Sequence, residues 1–276
     1  MKSAKQIVFI AIGAAMILLA VGLIFLKQDV DRGERLHGEN GTRVFEGPVN
    51  SLIFEAGACD IDIVIGDTQD YILEYESLSH ATISDHLENG ELEITLKMDT
   101  DWSTKWFDSD LDDAKITLTI PKNAELDSAL FEFGAAEITM EEIAAKKLYL
   151  TVGAGELNAD RLTATELARF NVGAGAFIAE DVALMNAELV CGVGEMNVSG
   201  SFDGDTTADC GVGAMELYVR GEQEDYRGEL NCGLGEIEFG NIKIDGSGKR
   251  SHGTASAERR MDIKCGIGDV DVQFYK

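Results

Sequence analysis

Beyond residue 50 apolar and polar positions alternate with a period of two, and the alternation changes phase at a recurring glycine pair. Leu189, Cys191 and Val193 share one parity, whereas Met196 and Val198 take the other. Leu230, Cys232 and Leu234 are followed in the same way by Ile237 and Phe239, and Ile263, Cys265 and Ile267 by Val270, Val272 and Phe274. Period two marks a strand with one buried face. Each unit therefore reads as strand, three-residue phase slip, strand, with the apolar side chains kept inside. Glycine suits the slip because it tolerates a bent backbone without a Cβ clash.

The slip carries the motif apolar-Gly-small-Gly-acid-apolar. It appears at Gly134, then at Gly153 and Gly155, Gly173 and Gly175, and Gly192 and Gly194. Gly211 and Gly213, Gly233 and Gly235, and Gly266 and Gly268 complete the series. Successive first glycines are 19, 20, 19, 19, 22 and 33 residues apart. A period of ~20 residues with two short strands is too short for a helical hairpin and fits one coil of a β-solenoid. The glycines are then structural positions. The prediction is an all-β fold, with seven coils over residues 126–276. The long last step holds one coil plus about 13 residues, assigned to the polar loop from Asp245 to Gly253.

Residues 51–125 read as antiparallel strands that form an N-terminal β cap or a first coil, with Asn89-Gly90 as a tight turn. An acidic loop from Asp99 to Asp113 carries Trp102 and Trp106, a candidate plug for the open end. Before the cap, residues 7–26 are uncharged and apolar, long enough for one transmembrane helix. A cleaved signal peptide competes, but Leu23-Ile24-Phe25-Leu26 continues past the small residues at 20–22. Lys2 and Lys5 favour a cytoplasmic segment 1–6 and an outside C-terminal domain. Polar residues 27–50 read as a stalk. The expected location is the cell membrane, crossed once.

The lead-in from Ile116 to Leu126 (ITLTIPKNAEL), followed by Gly-x-Gly-acid-apolar repeats behind one apolar segment, resembles the bacterial "putative adhesin" domain family of unknown function over residues 48–275. The resemblance implies a solenoid fold. It also implies kinship with accessory proteins of cell-envelope stress signalling, and it carries over no catalytic residues. Cysteine in four of the repeats departs from the family pattern.

Net charge is −27, which disfavours nucleic acid and anionic headgroups as partners. A protein or a cell-wall partner fits better. Cys191, Cys210, Cys232 and Cys265 share one repeat position, and stacking in sequence order would place the first three above one another. Other copies hold Phe133, Val152 and Val172 there, so the thiols read as core filler rather than metal ligands or disulfides. Glu137, Glu156, Glu195, Glu236 and Asp269 fall in one outward column. That column is either a solvated acidic face or a weak calcium stripe using oxygen ligands from adjacent coils. No other cofactor is indicated. Residues 108–113 imitate an EF-hand opening but lack its glycine and its final acid. His37, His80, His86 and His252 lie in polar stretches and read as surface residues. Lys249, Arg250, Arg259 and Arg260 read as cations neutralising acidic neighbours. The sequence therefore predicts a non-enzymatic envelope protein that presents a binding surface. An accessory subunit of a sensor or transporter is the alternative, and a polysaccharide-cleaving β-helix enzyme is the least favoured reading.

Overall fold

The computed structural model describes residues 34–36, 40–57, 59–76, 81–98 and 115–276. The expected membrane helix, the tryptophan loop and the EF-hand-like segment lie outside them. Among the described residues no helix is long and apolar enough to cross a membrane.

The glycine pair is a corner between two sheets. Each coil brings one strand up to the corner and sends a second away from it. Glu137–Val152 and Glu156–Val172 are long because they leave one corner, bend, and continue as the approaching strand of the next coil. The bend after Glu137 is marked by a register shift between Ala145 and Lys147. Equivalent strands of successive coils pair in parallel and in register, Val152 with Val172 and Leu157 with Phe177. Inward residues of both sheets interdigitate into one core that includes Phe54, Phe131, Phe170 and Phe177. Phe170 and Phe177 meet across a corner at 5.2 Å between ring centroids.

Coil order in space departs from coil order in sequence at both ends. On the approaching sheet, Ser51–Ala56 lies between Leu126–Phe133 and Glu91–Met98, parallel to both. On the leaving sheet, Asp60–Gly66 lies between Glu137–Val152 and Lys115–Pro121. The strands at 51–56 and 60–66, and those at 91–98 and 115–121, therefore lie in two parallel layers, where a cap or a single first coil was expected. At the other end, Arg259–Cys265 sits between Asp205–Cys210 and Tyr226–Cys232. Asp269–Tyr275 sits likewise between Ala214–Arg220 and Glu236–Phe239. The last coil in sequence is thus the second from the end in space.

Antiparallel strands cover both ends. Ala81–Glu88 pairs with Glu91–Met98 through Asn89 and Gly90, both with positive φ, as the tight turn requires. Tyr71–Glu76 covers Lys115–Pro121, and Asn40–Phe45 pairs beyond it. The expected stalk therefore ends earlier, because alternation in Asn40–Phe45 lets it join the sheet. At the far end Gly248–His252 lies antiparallel on Tyr226–Cys232, and Ile242–Asp245 on Glu236–Phe239. The residues assigned to a polar loop thus supply strand edges that seal the stack. His252 is buried there and not on the surface. Its Nε2 lies 2.9 Å from the Met261 carbonyl oxygen, and its ring packs 4.2 Å from that of Phe239.

Candidate functional site

The corner is where the sequence is most repetitive and where backbone approach is closest. A Cβ on Gly155 would lie 2.1 Å from the Ala136 carbonyl oxygen, and one on Gly194 would lie 2.1 Å from that of Gly175. The glycines are required by this contact. The residue between each glycine pair donates its N–H to the first glycine of the neighbouring coil: Val193 to Gly173, Val212 to Gly192, Ile267 to Gly211 and Leu234 to Gly266, each at 2.8 Å.

Those residues point outward. The shared parity of Leu189, Cys191 and Val193 predicts Val193 inside, but the turn begins before it, so its side chain leaves the core. Val193 is 50% exposed, Val212 37%, Ile267 37% and Leu234 53%. They form an aliphatic ridge over four coils that are consecutive in space. Ala135, Ala154 and Ala174 continue the line beside a shallow trough that includes Gly155, Gly175 and Glu156. The signal that could have revealed the ridge was the change from alanine to large aliphatic residues at one repeat position.

The predicted acids do share a column beside this line. Register runs Asp60, Glu137, Glu156, Ala176, Glu195, Ala214, Asp269 and Glu236. Glu137 and Glu156 are neighbours, as are Asp269 and Glu236, while Glu195 stands between two alanines. Neighbouring coils are ~4.8 Å apart, so the paired acids sit one coil from each other and Glu195 two coils from the nearest acid on either side. Among the described residues no three carboxylate, thiol or imidazole groups are gathered to hold a metal ion. A second outward column ends in Glu216, Asp271 and Glu238. Lys243 bridges Glu236 and Glu238 at 2.7 and 2.6 Å, and its hydrogen bond holds the Glu238 carboxyl below the usual range.

Behind the corner the four repeat cysteines form a ladder in the order Cys191, Cys210, Cys265, Cys232. Stacking in sequence order would have set Cys232 on Cys210; the inserted last coil puts Cys265 between them. All four are buried and free. Burial raises the Cys265 thiol to about 12. The hydrogen bond between Cys191 and Cys210 lowers the Cys191 thiol and, reinforced by burial, raises that of Cys210. A thiol that is enclosed and held protonated, as at Cys210 and Cys265, is a poor nucleophile and a poor metal ligand. Cys210→Val is therefore expected to change stability by less than about 1.5 kcal/mol, since the added methyl group is small and buried Val152 and Val172 fill the same position in other coils. Urea unfolding would check this, and a loss of several kcal/mol would mean that the thiol itself is needed.

The expected neutralising role of the basic cluster has direct counterparts. Lys249 pairs with Glu229 at 2.8 Å, Arg259 with Asp203 at 2.7 Å, and Arg260 with Asp262 at 2.7 Å. The reverse situation occurs on the approaching sheet, where Glu55 and Glu132 are directly opposite on neighbouring strands. Burial, and for Glu55 also the charge of Glu132, raises both carboxyls above the ordinary glutamate value. A raised folded pKa means that the folded chain binds protons more readily than the unfolded one. Their contribution to stability should therefore rise as pH falls from 7 through the raised values, and level off below the unfolded value. Glu132→Gln is expected to add about 0.2–1 kcal/mol at pH 7 and to flatten that dependence, as thermal melts across pH would show.

A capped stack of parallel coils, repeating one surface pattern along a corner, defines an all-β repeat domain. The chain belongs to the Toastrack DUF4097 family, whose pattern it matches over residues 49–276. No curated protein matches it. Similar solved structures include a "putative cell adhesion protein" from Clostridium sporogenes, 13% identical, covering 86% of this chain and 100% of that one at a TM-score of 0.37. A "putative adhesin" from Bacteroides fragilis is 15% identical, covering 85% and 97% at 0.38. A "putative lipid binding protein" from Parabacteroides distasonis is 17% identical, covering 87% and 98% at 0.36. Membership rests on the family match, because these likenesses are too distant to carry a function.

Proposed function

We propose that this chain is a non-enzymatic cell-envelope protein, anchored by residues 7–26, that holds its Toastrack domain outside the membrane as a binding surface. The observation that carries this reading is repetition of the outer face. Acids and corner residues recur in register from coil to coil, in columns and not as one converging cluster. Catalysis needs a singular constellation of groups around reacting atoms. A periodic face suits an extended ligand met at several points. The charge of −27 directs the choice toward cationic or neutral partners and away from nucleic acid.

The test is binding of residues 33–276, which form one compact unit, to intact cells and isolated walls with and without calcium. Saturable binding is the expected result. Loss on chelation would assign the acid column a role in holding calcium. No binding in either condition would overturn the display reading in favour of a regulatory partner in the same membrane, to be sought by crosslinking the full chain.

A further inference from the structure

We infer that the Val193–Val212–Ile267–Leu234 ridge is a docking strip for a basic amphipathic polypeptide segment, whose aliphatic side chains cover the ridge and whose Lys or Arg side chains face the neighbouring acids. The inference rests on the binding reading above and adds the chemistry of the partner.

Three observations carry it. First, folding does not require large side chains at this position. Ala154 and Ala174 make the same N–H bonds to Gly134 and Gly153, at 2.7 Å, that Val193 and Leu234 make at 2.8 Å. Aliphatic bulk left in solvent over four adjacent coils therefore has no role in the corner itself. Isolated exposed apolar residues are ordinary, but a contiguous line of them marks an interaction surface. Second, the strip is rigid. Every rung is fixed by a backbone hydrogen bond, and four rungs at ~4.8 Å spacing span ~14 Å, about the reach of four extended residues. Little ordering entropy is lost on the receptor side.

Third, the surroundings select charge. Glu195, Asp269 and Glu236 lie beside the ridge, with Glu216, Asp271 and Glu238 in the next column. Lys243 is paired with Glu236 and Glu238. Glu216 is held by the neutral donors Asn197 and Tyr218, and Asp271 by Gln273; these orient the carboxylates without neutralising them. On the opposite flank Lys264 is paired with Asp209 at 3.7 Å. The field over the ridge is negative, so a second copy of this acidic chain and an anionic lipid surface are both repelled. An alternation of apolar and cationic side chains satisfies the ridge and the acids together.

The test uses the full chain in zwitterionic detergent and three labelled synthetic peptides, alternating Lys with Leu, Lys with Ser, and Glu with Leu. The Lys–Leu peptide is expected to bind saturably, and more weakly as salt rises. A ridge variant carrying Val193→Ser, Val212→Ser, Ile267→Ser and Leu234→Ser should weaken that binding roughly tenfold or more. Equal binding of the Lys–Ser peptide would reduce the effect to charge alone and overturn the proposal. So would equal binding of the Glu–Leu peptide, which would reduce it to hydrophobicity. If the ridge variant loses its native circular dichroism, a photoreactive Lys–Leu peptide on the unaltered chain decides: crosslinks at residues 193, 212, 234 or 267 support the strip, and crosslinks elsewhere sink it. A folded ridge variant that binds walls normally but binds the Lys–Leu peptide as the unaltered chain does would refute the strip while leaving the display function intact.

Discussion

Gly194→Val should abolish cooperative folding of the coils around it, and Gly194→Ala alone should cost about 3 kcal/mol or more, at the upper end for overpacking a rigid interior. The backbone of Gly194 is not in the left-handed region, so the cost is contact and not conformation. Its added Cβ would lie 2.1 Å from the carbonyl oxygen of Gly175 and 3.0 Å from the amide nitrogen. That carbonyl already accepts the Glu195 N–H at 2.9 Å, and the carbonyl of Gly194 accepts the Ala214 N–H at 3.0 Å. Moving one rung to admit the methyl group therefore opens two coil-to-coil bonds. Valine adds two further carbons to a site that cannot take one. The first glycine of the pair is less tightly held, with a Cβ on Gly192 falling 2.6 Å from the Gly173 oxygen, so Gly192→Ala should cost less. Val193→Ser, one residue away and exposed, should stay within about 0.5 kcal/mol. Urea denaturation followed by circular dichroism ranks the three. A Gly194→Ala midpoint equal to that of Val193→Ser would show that the corner is not close-packed.

That ranking also shows what a repeat pattern can reveal. The corner was legible because one backbone contact recurs and glycine meets it in every copy from Gly155 onward, only the first copy holding Ala136 at the second position. The inward faces around it were legible because alternation records burial directly, and so Cys191, Met196 and Ile237 are all enclosed. The same rule failed for Val193, Leu234 and Ile267. Parity follows a strand only while the strand runs straight, and these residues already belong to the turn. His252 was misplaced for a related reason. Its neighbours are polar, yet its strand folds over the end of the stack, where one inward residue must close the core. The acid column was legible as a column, but not the order of its members, because that order depends on which coil lies beside which.

Lateral order is what alternation cannot encode, and it has a consequence at the C-terminus. Removing residues 258–276 should unfold far more than the strands deleted. In a solenoid stacked in sequence order, the last coil is an end piece whose loss leaves the remainder paired. Here the deleted strands lie between the coil of residues 205–220 and that of residues 226–239, and both lose their parallel neighbour. Met261, Ile263, Val270 and Val272, each at most 1% exposed, leave the core together. At ~1.5–3 kcal/mol for each buried side chain, their loss approaches the ~5–15 kcal/mol net stability of a whole domain. Tyr226–Cys232 and its covering strand would be stranded one coil beyond their support. Hydrogen exchange on the shortened chain should show protection lost from residue 205 onward and retained in the coils before it. The complementary check is lateral order itself. Glu216 and Asp271 are paired neighbours, whereas Glu216 and Glu238 are two coils apart. In the full chain, a Glu216→Cys, Asp271→Cys pair should therefore crosslink with a short thiol reagent, and a Glu216→Cys, Glu238→Cys pair should not. The opposite result would return the coils to sequence order, and with it the expectation that the last coil can be removed at little cost.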